Sequence, residues 1–312
     1  MTDLTRPAVD SEDLRKFVAV AEELHFGRAA ARLGMAQPPL SRAIRQLEQR
    51  LGVELLIRNS RGVRLTEAGE VLLHEGHKAL DAVTAAVRRT QRAGKPEPKL
   101  VVVLKPNGDA GLLGRILEAY EGDPDALPVD VQICGIGQQA GLLRDGRADV
   151  ALLHGPYDDM SGFDAEELLT QRAVAVLPRT HRLARRRSLH MADLAGETMP
   201  RWPGMSGDGP EVRDTAQLMQ LIVLGRVVAV LPESVRPNLG TELVAIPVLD
   251  GRLTSIVLAW PERSRSRAVA AFVRAAVGLA QAEEGSTIAF PAAVGHEDAV
   301  PAGDFEVAPH SL

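Results

Sequence analysis

The sequence predicts an α/β protein in three parts: a helix-rich winged helix-turn-helix head, a long linker helix and a two-lobed α/β body. Three observations predict it. The first 65 residues hold three short amphipathic helical patterns, then two short strand-like runs around a turn. Residues 66–92 carry one unbroken helical pattern, ended by Gly94-Lys95-Pro96-Glu97-Pro98. From Lys99 onward, apolar strand-like runs alternate with helical segments.

Residues 1–10 read as a flexible lead. Asp13–Leu24 sets Leu14, Phe17, Val18, Ala21 and Leu24 on one helical face. Phe26–Leu33 is a short alanine-rich helix, whose small residues let two helices approach closely. Gly34-Met35-Ala36 is the tight link expected inside a helix-turn-helix. Gln37–Gly52 is the third helix and the candidate reader of DNA. Pro38 and Pro39 suit a helix start, and Gly52 suits its stop. Leu40, Ile44, Leu47 and Leu51 recur at spacings of four, three and four. The other faces carry Arg42, Arg45, Gln46, Gln49 and Arg50, long donors of the kind a major groove accepts. A solvated amphipathic helix is the bland alternative, and the neighbouring elements argue against it. Glu54–Ile57 and Val63–Leu65 read as two strands around Asn59-Ser60-Arg61-Gly62, with Arg58, Arg61 and Arg64 on a wing beside the phosphate backbone.

The run LRKFVAVAEELHFGRAAARLGMAQPPLSRAIRQLEQRLGVELLIRNSRGVRLTEAGEVLL carries a resemblance. Residues 11–93 resemble the N-terminal domain of LysR-type transcriptional regulators. The resemblance implies that Gln37, Pro38, Pro39, Ser41, Arg42 and Arg45 touch DNA at the start of the reader helix. It places Arg58 and Arg64 at the wing positions.

Charge fits this division. The net charge is −5, but residues 1–95 hold 16 Lys and Arg against 12 Asp and Glu, and the remainder 20 against 29. A basic head on an acidic body follows. The lone Cys134 excludes an intramolecular disulfide and permits a reducing, cytoplasmic setting. The chain has no long N-terminal apolar run, so neither a signal peptide nor a membrane span is expected.

Leu73, Leu80 and Val87 repeat every seven residues, with Gly76, Val83 and Thr90 between them. A helix packed on its own body would explain them. A dimerising linker helix over residues 66–95 explains them better, because no intrachain partner is evident in the sequence. The resemblance implies the same role, and assembly into a homotetramer.

In the body, Leu100–Leu104, Val129–Cys134 and Val150–Leu153 read as strands, with helices at Leu112–Tyr120 and Ala140–Arg144. This alternation argues a mostly parallel sheet. His154–Gly162 is read as the crossover to a second lobe. There Ala173–Leu177, Val227–Leu231 and Leu243–Ala245 are strands and Val212–Leu224 a helix. Residues 254–260 and Ser266–Ala282 return to the first lobe. Lobe one is thus 96–155 with 254–282, and lobe two is 160–250. The two lobes resemble the family's effector domain, itself similar to periplasmic binding proteins, and LIVLGRVVAVLPESV resembles its helix-glycine-strand-proline signature. The tail, 283–312, has six acids and no Lys or Arg, and reads as disordered.

Enzymatic readings find little support. Gly135-Ile136-Gly137-Gln138-Gln139-Ala140-Gly141 suggests a dinucleotide loop, but its spacing is off by one and it follows the wrong strand. No phosphate-binding loop, metal-ligand spacing or nucleophile elbow is present, so no cofactor or metal is expected. His77 and His154 read as structural or exposed.

Ligands of open parallel sheets bind beyond the carboxyl ends of the strands. Lys105 and Asn107 follow the first strand and Gln138 and Gln139 the second, while Arg201 and Trp202 lie near the second lobe's long helix. The resemblance puts Ser or Thr at the first two positions, binding a carboxylate, and this chain departs from that. Lys105 and Arg201 favour an anionic effector, and Trp202 suits a flat apolar group. Alternatively, Lys105 is a solvated rim residue and Trp202 a core residue. The expected partners are a DNA duplex, a small effector and copies of the chain. A solute-binding transport protein or an α/β enzyme are the rival classes. The basic head argues against the first, and the missing catalytic constellation against the second.

Overall fold

The computed structural model describes residues 9–59, 62–202, 207–262 and 264–286. The expectations for residues 1–8, for Arg61, Pro203 and for the tail from 287 to 312 lie outside the described residues. No described helix is long and apolar enough to cross a membrane. The described residues form two compact units, one built on residues 9–91 with Arg144–Gly146, the other on residues 92–143 and 147–286.

In the first unit, α1 spans Ser11–Glu23. It starts ahead of Asp13 because Asp10 and Asp13 close a capping box: Asp13 N donates to Asp10 Oδ1 at 2.9 Å and Asp10 N to Asp13 Oδ2 at 3.3 Å. α2 spans Phe26–Arg32, and His25 Nδ1 caps it by accepting from Gly27 N and Arg28 N. α3 spans Gln37–Leu51, with prolines in its first turn and Gly52 at φ 72° as its stop. Phe17 and Val20 of α1, Ala29 of α2, Leu40, Ile44 and Leu47 of α3, and Leu55 join in one core. The two wing strands, β1 (Leu56–Asn59) and β2 (Gly62–Leu65), pair antiparallel, Leu56 facing Leu65. β1 begins two residues later than the sequence suggests. Glu48 Oε1 takes the amides of Leu55 and Leu56, at 3.0 and 3.2 Å, and so holds the strand's entry to α3.

α4 spans Glu67–Ala93, and Thr66 Oγ1 accepts from Gly69 N at its start. Gly69 is required: a Cβ there would come within 2.2 Å of the Leu55 carbonyl oxygen. Leu72, Leu73 and Leu80 pack against the head's core, and Gly76 is buried beside Val18 and Leu14. The first half of the seven-residue seam therefore has an intrachain partner, which the sequence reading lacked. Val83 and Val87 further along are exposed.

The second unit holds two sheets. In the first, the order is β4 (Val129–Ile133), β3 (Leu100–Leu104), β5 (Val150–Gly155), β10 (Thr254–Pro261), β6 (Phe163–Gln171). β4, β3 and β5 are parallel, and β10 runs antiparallel to β5 and β6. β3 is wholly buried because both its faces are covered. Leu100, Val102 and Leu104 pack with α5 (Leu112–Glu121) and α8 (Arg267–Ser286). Val101 and Val103 pack with Ala140 and Leu143 of α6 (Gln139–Arg144).

β6 corrects the expected lobe boundary. Residues 154–162 do not cross to the second lobe, since Phe163–Gln171 is an edge strand of the first sheet. Its sequence, FDAEELLTQ, is acidic and largely exposed, which suits an edge and hides the strand from an apolar pattern. The passage between sheets comes after Gln171, whose register partner on the return path is Thr254; both are buried.

The second sheet has the order β8 (Ala229–Pro232), β7 (Ala173–Pro178), β9 (Leu243–Pro247). Both its pairings are antiparallel, unlike the parallel β4, β3 and β5 of the first sheet, for which the alternation of strands and helices predicted that direction. β7 is buried throughout, so its apolar run carried no sign of strand direction. Val174 and Val176 face α7 (Thr215–Val223), while Ala173, Ala175 and Leu177 face a second cluster with Leu189 and Leu194.

Candidate nucleic-acid interface and ligand site

α3 divides as its periodicity requires. Leu40, Ile44 and Leu47 are fully buried, and Gln37, Pro38, Arg42, Arg45, Gln46, Gln49 and Arg50 are exposed. Pro39 and Ser41 are half-buried in the first turn. Among the described residues no carboxylate pairs with Arg42, Arg45 or Arg64, so their charge remains free for an anion. Arg50 differs, since its Nη2 lies 2.7 Å from Asp13 Oδ2 and ties α3 to α1.

Arg58 also differs from the expectation of a free phosphate contact. Its Nη1 donates to Ser41 Oγ at 3.2 Å and its Nη2 to Glu48 Oε2 at 3.3 Å. Its guanidinium carbon sits 4.6 Å from the centroid of the Phe26 ring. Glu48 was not singled out in the sequence. Its signal was a carboxylate beside Leu47 on the otherwise apolar side of the helix.

In the second unit, Lys105 follows β3 and Cys134 follows β4, while β5 ends with His154 and Gly155 and is followed by Asp158 three residues on. Lys105 is half-buried, and among the described residues its amine has no hydrogen-bond or ion-pair partner. Burial lowers its pKa from the usual lysine value, against the opposing pull of Asp158 and of Cys134. His154, read from sequence as structural or exposed, is buried, with Nδ1 unbonded and 3.8 Å from Asp158 Oδ2. Burial first, and the Lys105 charge second, push its pKa down to about 3, so the ring is neutral near pH 7. A Cβ on Gly108 would meet Lys105 Cγ at 2.7 Å and His154 Cε1 at 3.2 Å, which places these two side chains together.

The remaining predicted ligand residues fare differently. Gln139 is fully buried with both amide atoms unbonded. Gln138 is exposed and folds back, its Oε1 accepting from Gly135 N at 3.1 Å. Asn107 is exposed in a left-handed turn at φ 56°. Arg201 pairs with Glu211 at 3.3 Å, which offsets the charge expected to draw an anion. Trp202 packs against the second lobe's core beside Val212 and Leu218, as its bland reading had it. The structure therefore brings Lys105 together with His154 and Asp158. It gives Gln138, Arg201 and Trp202 roles within the protein.

Comparison with known proteins bears on both sites. Residues 11–70 match the bacterial regulatory helix-turn-helix protein family of lysR type, and residues 93–209 match the LysR substrate binding domain. The Hca operon transcriptional activator HcaR of Escherichia coli is 31% identical over 282 residues, covering 83% of this chain and 94% of that protein. The transcriptional regulator AlsR of Bacillus subtilis is 35% identical over 185 residues, 59% of this chain and 61% of that protein. The crystal structure of full-length BenM aligns with a TM-score of 0.50 at 27% identity, over 89% of this chain and 98% of that one. A DNA-reading head and a substrate-binding body in one chain make a DNA-binding transcriptional regulator, and this protein belongs to the LysR family.

Proposed function

We propose that the protein binds an interrupted palindrome in promoter DNA as a dimer, in the cytoplasm, without catalysing a reaction. A small anionic effector, held in the cleft between the lobes, then sets promoter access. One observation carries the DNA half of this reading: Arg42 and Arg45 project, with no carboxylate partner among the described residues, from the solvent side of a helix whose opposite side is buried. Such a helix offers base-reading donors, with Arg64 on the wing as a phosphate contact. Titration of promoter duplexes at two salt concentrations tests it. Affinity should fall steeply with salt, and Arg42→Ala should cut discrimination between operator and unrelated DNA. An equal loss on every sequence would remove Arg42 as a base reader.

The effector half rests on Lys105. An amine that is half-buried and unpaired at the carboxyl end of a parallel strand is costly until an anion meets it. Gln139, at the start of α6, and His154, near the end of β5, add buried unbonded polar atoms. The effector switches promoter access only if it binds two lobe arrangements with different affinity. A thermal-shift screen of organic acids should find stabilisers of the wild type that lose their effect on Lys105→Met. Equal stabilisation of both proteins would move the site elsewhere.

Dimerisation is assigned to α4, where Val71, Val83 and Val87 are exposed apolar residues on a 27-residue helix. Pairs of dimers through the bodies would complete a homotetramer.

A further inference from the structure

We propose that Arg58 is a positioning residue: it clamps the wing to α3 and, by donating to the Ser41 hydroxyl, sets that hydroxyl to offer its proton to DNA. The inference rests on the reading of α3 as the DNA reader and concerns how that reader is set.

The guanidinium is held by three partners of the head, though its side chain remains 30% exposed. One face lies over Phe26, at 4.6 Å from the ring centroid, Nη1 donates to Ser41 Oγ and Nη2 to Glu48 Oε2. The other Glu48 oxygen accepts from Leu55 N and Leu56 N. A continuous chain of bonds thus runs from the amides at the base of the wing, through Glu48 and Arg58, to the first turn of α3. The planar fork of arginine spans two acceptors while stacking on a ring, and a lysine cannot do both.

Two consequences follow. A hydroxyl has two lone pairs and one proton. Arg58 donates to Ser41 Oγ at 3.2 Å and Arg45 Nη2 approaches it at 3.5 Å. Arg58 thus takes one acceptor direction on the wing side, and the O–H suits an acceptor on the other: a phosphate oxygen, or a purine N7 or O6 edge. Second, the two hydrogens that hold Ser41 and Glu48 cannot also grip a phosphate, and turning them to the DNA would release Glu48 Oε2 from its cation on a side chain only 15% exposed.

The test uses the full chain with a duplex selected from a random pool by the wild type, a scrambled duplex, and anisotropy titrations across salt. Failure of the wild type to prefer the selected duplex would sink the reading of α3 itself, separately from this inference. With that preference in hand, Arg58→Ala and Arg58→Lys should each lose about tenfold on the selected duplex, roughly the loss of one hydrogen bond to a charged group. Their salt slopes should stay at the wild-type value. Ser41→Ala combined with Arg58→Ala should be no worse than either alone. Glu48→Gln keeps an acceptor for the two amides but frees Arg58. It should gain affinity for scrambled DNA and steepen the salt slope by about 0.9, one phosphate. The proposal is overturned if Arg58→Ala weakens both duplexes equally with a slope shallower by about 0.9 and Arg58→Lys restores binding. A Glu48→Gln protein indistinguishable from wild type would overturn it as well, and this second variant decides the matter should Arg58→Ala fail to fold.

Discussion

Arg42 and Arg45 stand on the solvent side of α3 because Leu40, Ile44 and Leu47 occupy the other. That placement follows from the 3.6-residue period alone. Replacing Arg42 by Ala should cost about 1–3 kcal/mol of discrimination at one base pair, read as the ratio of operator to unrelated-duplex affinities. His154 sets a second expectation at this scale. Its pKa falls from 6.5 to about 3 on folding, so below pH 6.5 the unfolded chain binds more protons than the folded one. The stability tied to the neutral ring is complete above pH 6.5 and is lost as pH falls toward 3. By pH 5 the loss is about 2 kcal/mol relative to pH 7. Urea unfolding at the two pH values should show this drop in the wild type and a smaller one in His154→Gln. Identical pH dependence in both would mean the ring is not what titrates. The burial of His154 was not legible in the sequence, because the loops that cover it follow separate strands.

Elements announced themselves where their local pattern was complete. α3 appears with the predicted core and ends, since a periodic apolar face, prolines at the start and a terminal glycine all agree, and β3 appears as predicted because its short apolar run is buried on both faces. α1 gained its first residues from an Asp10–Asp13 box, a short-range signal that was present and overlooked. β6 was missed for a different reason: an acidic edge strand buries few side chains and owes its place to the backbone of β10. Gly69 shows the limit of local reading. It sits inside a helical pattern, yet it is there because α4 passes against the Leu55 carbonyl. Gly69→Ala should therefore destabilise the head by about 1–3 kcal/mol, despite alanine's better helix propensity. Stabilisation measured by thermal unfolding would show that this contact is looser than described.

For the whole molecule, the charge split decides the expected physics: an acidic chain binds DNA because residues 1–95 carry more cations than anions while the remainder carries fewer. The exposed valines of α4 set the expected assembly. Val83→Glu with Val87→Glu should shift the protein toward monomer in sedimentation, and lower palindrome affinity much more than affinity for a half-site. An unchanged dimer would place the interface elsewhere. Removing residues 283–312 takes away six acids and no Lys or Arg. DNA binding should persist in a mobility-shift assay, and its loss would assign the tail a direct part.

The sequence by itself determined most element types, the buried and solvent sides of α3 and the division into a basic head and an acidic body. These depend on periodicity, capping and charge, which act over a few residues. Only the tertiary structure decided that Arg58 is a clamp, that Arg201 is paired with Glu211, that half of the α4 seam is already used, and that β6 belongs to the first sheet. Each of these turns on partners brought together by folding, and no local pattern encodes which of several equivalent neighbours a side chain will meet.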